Sequence, residues 1–174
     1  MSAAPRLNGK AVTAAIFICT AASVTAGDLL TKWLAFPPDE KHLPQHIITI
    51  IPNFLDLSRS RNTGGVFGVG QGQVTFFILF TLLASAANLW AVRKYGRASR
   101  WLTFGLGCVF GGAMGNLWDR LSLGYVRDFI HCFIGRYHWP TFNIADSAIC
   151  VGAAILVIHS SLTPDARRET SRPE

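Results

Sequence analysis

Apolar residues in this chain fall into four long runs: about Ala11–Phe36, Val74–Val92, Trp101–Trp118 and Ile144–Leu162. A helix needs about 20 mostly apolar residues to cross a hydrocarbon core about 30 Å thick. Each run is of that order. Asp28 and Lys32 interrupt the far end of the first, and the third is rich in glycine. Between the first two runs the period changes. HIITIIPNFLDLSRSRN holds a β-branched stretch, then Leu55 and Leu57 alternating with polar residues, which predicts two short strands. The connection over 119–143 is short and aromatic, with Tyr125, Phe129, Phe133, Tyr137, Trp139 and Phe142. Such side chains favour the membrane–water interface. The expected fold is an all-α membrane protein of four transmembrane helices with a small extracytoplasmic β-rich subdomain. Residues 1–165 are expected to form a single polytopic domain and 166–174 a cytoplasmic tail, because no Pro/Gly/Ser-rich linker or repeat divides the chain.

Composition agrees with this pattern. The 174 residues are 50% hydrophobic and 15% charged, where an ordinary globular protein has about 25% charged residues. Arg6 and Lys10 ahead of Ala11–Ala26 have the form of a secretory leader, but three further runs follow, so an uncleaved first span is expected. The four cysteines (Cys19, Cys108, Cys132, Cys150) lack metal-ligand spacing, and three lie in apolar runs as small apolar filler.

The charge is unevenly placed. The amino terminus, RKYGRASR over 93–100, and the carboxyl-terminal tail hold nine basic residues against three acidic ones. These three segments account for the whole net charge of +6. Basic connections stay cytoplasmic, so both termini are expected inside. The pI near 9.6 is then a topology signal, and nucleic-acid binding is not expected.

Ionisable groups inside a span are costly and usually functional. Here they gather at one level, the outer ends of the runs: Asp28 and Lys32, then Asn116, Asp119 and Arg120, then Asn143 and Asp146, with Asp128 in the outer connection. Asp28 and Lys32, at i and i+4, share a helix face and read as a structural ion pair. Asn116 and Arg120 also share a face, and Arg120 can fork two hydrogen bonds to a carboxylate or carbonyl. Holding the outer loop and binding a substrate are both open to it. Asp128 and Asp146 at one depth, partly desolvated, would resist ionising together and would share a proton. Such a pair suits acid–base hydrolysis of an amide. On the residues alone it suits proton or cation transport equally well.

Four blocks bear on that choice: GDLLTKWLA from Gly27, NTGGVFG from Asn62, GGAMGNLWDRLSLGYVRDFI from Gly111 and FNIADS from Phe142. In this order they resemble the lipoprotein (type II) signal peptidases of bacteria. The resemblance implies a multi-pass aspartic endopeptidase of the cytoplasmic (inner) membrane, with its active site near the outer surface. It would remove the signal peptide of a prolipoprotein just before a diacylglyceryl-modified cysteine. It implies Asp128 and Asp146 as the catalytic pair. Asn62, Gly112, Asn116, Arg120, Asn143 and Ala145 would line the substrate site, and Asp28 and Lys32 would be supporting structure. No cofactor or metal is expected. Prolipoproteins and membrane lipids are the expected partners, and a monomer the expected state. Two departures from the family pattern are Val66, where a small residue is usual, and Arg127, where an apolar one is commoner. A strand's alternation would turn Arg127 away from the pair. The glycine-rich segment Thr63–Gly72 fits either a flap over the site or a plain turn. Gly107–Gly111 and Gly111–Gly115 have the spacing of close helix packing.

Overall fold

The computed structural model describes residues 8–38, 44–65 and 69–162. Arg6, Val66 and the carboxyl-terminal tail, on which some of the expectations above rest, lie outside them. Four long helices carry the chain: α1 (Gly9–Ala35), α2 (Val74–Tyr95), α3 (Arg100–Leu123) and α4 (Ile144–Leu162). Strands β1 (His46–Ile51) and β2 (Leu55–Asn62) join α1 to α2. Strands β3 (Val126–Ile134) and β4 (Tyr137–His138) join α3 to α4. Among the described residues, α1, α2 and α4 are long and apolar enough to cross a membrane. The glycines of α3, with Asn116, Asp119 and Arg120, keep it below that measure.

Helix α3 is the axis on which α1, α2 and α4 pack. Its glycines explain how closely. Gly107, Gly111 and Gly115, four residues apart, lie on one face. A β-carbon on Gly107 would meet Thr20, one on Gly111 would meet Ala21 and Val24, and one on Gly115 would collide with the Asp28 carboxylate, all on α1. Gly105 and Gly112, seven apart, face α4 at Ile155 and at the Ala145 carbonyl. Gly152 answers from α4 against the Gly105 carbonyl. The spacing seen in sequence is thus close packing of α3 on α1, and a second glycine line serves α4. Ser99 caps the start of α3 by accepting from the Leu102 N–H at 3.3 Å. Gly124 ends it in the left-handed region at φ 77°, where a glycine costs least.

The strands form one antiparallel sheet in the order β1-β2-β3-β4. Two of them, β1 and β2, match the predicted strands. Strand β3 emerges where the connection had read as an aromatic interfacial loop. The same Phe129, Ile130, Phe133 and Ile134 that favour an interface also favour a pleated, half-buried surface. Phe129 packs with Ala35 and Phe36 at the end of α1, and Ile47, Leu57, Ile130 and Ile144 surround them. Arg59 fastens the entry to the sheet by donating to the carbonyls of Ala35 (2.6 Å) and Pro44 (2.7 Å). The β2–β3 register places Ser60 opposite Asp128 and Asn62 opposite Val126. Thus the sheet delivers Asn62 and Asp128 to the upper ends of α3 and α4.

Candidate active site

Asp146 sits in the first turn of α4, and a local rule of helix chemistry holds it there. Asn143 precedes the helix. Its Oδ1 accepts from the Asp146 N–H at 2.9 Å, while Asp146 Oδ2 accepts from the Asn143 N–H at 3.2 Å. This reciprocal pair is a capping box, with a carboxylate at the position where the helix dipole favours negative charge. A third unpaired donor of that turn, the Ala145 N–H, gives its hydrogen to Asp28 Oδ1 at 2.9 Å. Asp28 therefore caps α4 from α1.

Asp128 is delivered by β3. Side chains alternate along a strand, so Val126 and Asp128 turn inward while Arg127 turns aside. Asp128 is 1% exposed and accepts from Asn62 Nδ2 (3.1 Å) and Asn143 Nδ2 (2.7 Å). Asp146 Oδ1 accepts from Asn116 Nδ2 at 2.8 Å. Asn143 thus bonds to both carboxylates. Burial and the neighbouring Asp146 charge push the Asp128 carboxyl up to about 7, against the smaller opposing pull of the Asn62 and Asn143 amides and the Lys32 charge.

Behind the pair lies a buried ionic cluster. Lys32, fully buried, reaches Asp28 Oδ2 (2.7 Å), Asn116 Oδ1 (2.8 Å) and Asp119 Oδ2 (3.4 Å). Asp119, also fully buried, takes Arg127 Nη2 at 2.7 Å and the Arg127 N–H at 3.0 Å. Arg127 accordingly points at Asp119, as the strand alternation predicts. The cluster holds two cations and two carboxylates, so its charges balance within reach of one another. Breaking such a pair is what costs most.

A cavity of about 640 Å³ opens between α2 and α4 with α3 as its floor. Asn62, Asn116, Arg120 and Asp146 make its polar end, and Phe80, Ala84, Val109 and Val151 its apolar end. Arg120 crosses the polar end, donating to the Gly64 carbonyl at 2.9 Å and lying 5.4 Å above the Phe77 ring. Asp146 lines the cavity, and Asp128 lies directly behind its wall, bonded to the lining residue Asn62 and to Asn143. Gly112 and Ala145, whose positions had also been expected to line the site, meet each other in the α3–α4 contact and are not on its wall. In the glycine-rich segment, Gly65 and Gly70 rest against Phe77. The Thr63 hydroxyl joins its two ends by bonding Gln71 and accepting from the Gly72 N–H.

Sequence reasoning noted Asp119 in the polar layer but gave it no role. Its partnership with Arg127 spans the Gly124 turn, and no spacing rule announces it. Asn143 as a cap was legible in the N-x-x-D spacing of Asn143 and Asp146. Among the described residues no group of three or more His, Cys, Asp or Glu is arranged to hold a metal ion.

The profile of the family described as "Signal peptidase (SPase) II" matches residues 20–162. A lipoprotein signal peptidase of Bacillus velezensis is 36% identical over 154 residues, spanning 88% of this chain and 99% of that protein. One of Geobacillus thermodenitrificans is 40% identical over 84% of this chain and 89% of its own length. Two solved structures of bacterial membrane enzymes obtained by the in meso method superpose with TM-scores of 0.76 and 0.74. They are 29% and 30% identical to this chain and cover 91% and 85% of it, corresponding to 91% and 94% of their own chains.

Proposed function

Because the chain belongs to the signal peptidase II family, we propose that it removes signal peptides from prolipoproteins by water attack activated by Asp128 and Asp146. The observation that carries this is the asymmetry of the pair. Asp146 is held as an acceptor by Asn116 and the Asn143 N–H at a helix start and borders the cavity. Asp128 is buried, with its carboxyl pushed up to about 7. One proton on the pair then resides on Asp128. Asp146 takes a proton from water as the oxygen adds to the scissile carbonyl carbon, and Asp128 gives its proton to the carbonyl oxygen. In collapse, Asp146 returns the proton to the leaving amine, Asp128 recovers one from the diol, and the C–N bond breaks. The pair ends as it began.

The cleaved bond is the one before a diacylglyceryl cysteine. The signal peptide lies in the groove between α2 and α4, whose apolar end suits a membrane-borne helix. Helix α3 crosses the membrane with the other three: 24 residues rise about 36 Å, and burial by its neighbours offsets its lower apolarity. The basic stretch over 93–100 faces the cytoplasm, where Lys94 lies over Trp90 and Tyr95 as at a membrane interface. The catalytic end is then outward, in the bacterial inner membrane. Asn62, Arg120 and Asn116, with Gly112 and Ala145 shaping the floor from behind, position the substrate, and the protein acts as a monomer.

The test is cleavage of a lipidated prolipoprotein by purified protein in detergent. Asp128→Asn and Asp146→Asn are each expected to abolish cleavage while the protein still inserts and stays folded. Full activity in either variant refutes the pair.

A further inference from the structure

Asn116 presents its amide nitrogen to Asp146 at 2.8 Å, and the orientation of that amide is not self-evident. Its two ends are nearly equal in shape. Flipped, Asn116 would set an oxygen against the Asp146 carboxylate. What decides the orientation is the set of donors on Asn116 Oδ1. Lys32 Nζ donates to it at 2.8 Å and Asn143 Nδ2 at 3.1 Å. The ammonium bond is shorter and charge-assisted, about twice as strong as a neutral one. Asn143 divides two amide hydrogens among three acceptors: Asp128 at 2.7 Å, Asn116 at 3.1 Å and the Arg127 carbonyl at 3.3 Å. Its hold on Asn116 is the weaker one.

We infer that Lys32 is a positioning residue of the reaction: by donating to Asn116 Oδ1 it fixes the Asn116 amide so that its N–H₂ is turned to the Asp146 carboxylate. This goes beyond a structural ion pair with Asp28, and it rests on the proposed role of Asp146. The Lys32 ammonium hydrogen-bonds Asn116 Oδ1 and lies in ion-pair contact with Asp28 Oδ2 at 2.7 Å and Asp119 Oδ2 at 3.4 Å. Its place is thus set by two buried carboxylates, with Asn116 as its hydrogen-bond acceptor. The charged groups that act on Asp146 are Lys32 from α1, Arg120 from α3 and Asp128 from β3, with Asp28, Asp119 and Arg127 paired among themselves and with Lys32 behind them.

Removing Lys32 alone would strand the buried Asp28, so the test uses double variants. Asp28→Asn/Lys32→Met replaces the ion pair with neutral groups and leaves an amide oxygen to cap Ala145. Asp28→Asn/Lys32→Gln adds back an uncharged donor for Asn116. In the cleavage assay the Met variant is expected to keep a parental melting temperature and to lose tenfold or more in kcat/KM. Both limbs of its pH profile should move to higher pH, since a cation and a donor to the ionised pair are gone. The Gln variant should recover most of the lost rate. A Met variant with parental rate and pH profile, or Met and Gln variants equally slow, overturns the inference. If the Met variant does not accumulate folded, the Gln variant carries the test, and a tenfold loss in it overturns the inference. Failure of the catalytic pair itself would show separately, as activity in Asp128→Asn or Asp146→Asn with Lys32 intact.

Discussion

The side-chain amide of Asn143 donates to Asp128 at 2.7 Å, while the same residue caps the helix that carries Asp146. One asparagine thus sets the position of one carboxylate directly and of the other through the start of α4. These two duties can be separated. Asn143→Ala should lower kcat/KM by about 10- to 100-fold, from lost hydrogen bonds to ionisable groups. It should also cost about 1 kcal/mol of stability through the lost cap. Asn143→Ser, a good cap with a single hydrogen, should restore the melting temperature but not the rate. Equal recovery of both would mean that capping is all Asn143 does.

On the proposed mechanism, Asp128 sets the alkaline limit of the reaction. With its carboxyl near 7, the pair loses its last proton as pH rises through that value. The rate of prolipoprotein cleavage should then fall up to about tenfold per pH unit. The stability sign is the opposite of the common carboxylate case. The folded protein holds the Asp128 proton between the ordinary value of 3.8 and about 7, whereas the unfolded chain has released it. Asp128 therefore favours the folded state at low pH, and its contribution declines across that window by up to about 1.4 kcal/mol per unit. Thermal melts of wild type and Asp128→Asn in detergent should diverge from pH 4 to 7, the wild type losing more.

The ionic cluster ranks its own members. Asp119 serves both Lys32 and Arg127, so Asp119→Asn leaves two cations short of charge and should cost about 3–5 kcal/mol. Arg127→Gln leaves Asp119 with Lys32, and Arg127 is itself 14% exposed, so its cost should be clearly smaller. Denaturant or thermal unfolding of the two variants side by side checks the order, and a reversed order would remove Asp119 from the centre of the cluster.

The glycines divide by what a side chain would meet. Gly112→Val drives atoms into the Ala145 carbonyl and Ile149 and should sharply lower the yield of folded protein. Gly27, although inside the first motif block, has open space around it within a helix. Gly27→Ala should be neutral or stabilise by up to about 1 kcal/mol, with cleavage unchanged. Loss of folding in Gly27→Ala would mean that a further partner occupies that space.

Much of this architecture was legible because its signals are local. Helix lengths follow from apolar runs, β1 and β2 from a change of period, and the polar layer from the cost of ionisable groups in a membrane. Asp128 and Asp146 stood out for that reason. What was not legible is long-range. Arg127 with Asp119, and Lys32 with Asn116 on another helix, depend on which faces meet, and no single-chain periodicity carries that. Strand β3 was missed for a different reason: aromatic residues report an interface and a strand with the same letters. A motif also gives proximity without direction: Gly112 and Ala145 face each other in the α3–α4 contact and not the cavity.

The capping box at the head of α4 has a consequence for assembly during synthesis. Asp146 acquires its bonded geometry only when α4 forms, because its main-chain N–H and its carboxylate close that helix's first turn with Asn143. Asp28, about 120 residues upstream, completes the same turn. The proposed catalytic pair therefore does not exist in the earlier stages of insertion, when α1, α2 and α3 alone are present. The last described helix to emerge is the one that completes the proposed pair, so on that mechanism a partly inserted chain carries no cutting centre into the membrane around it.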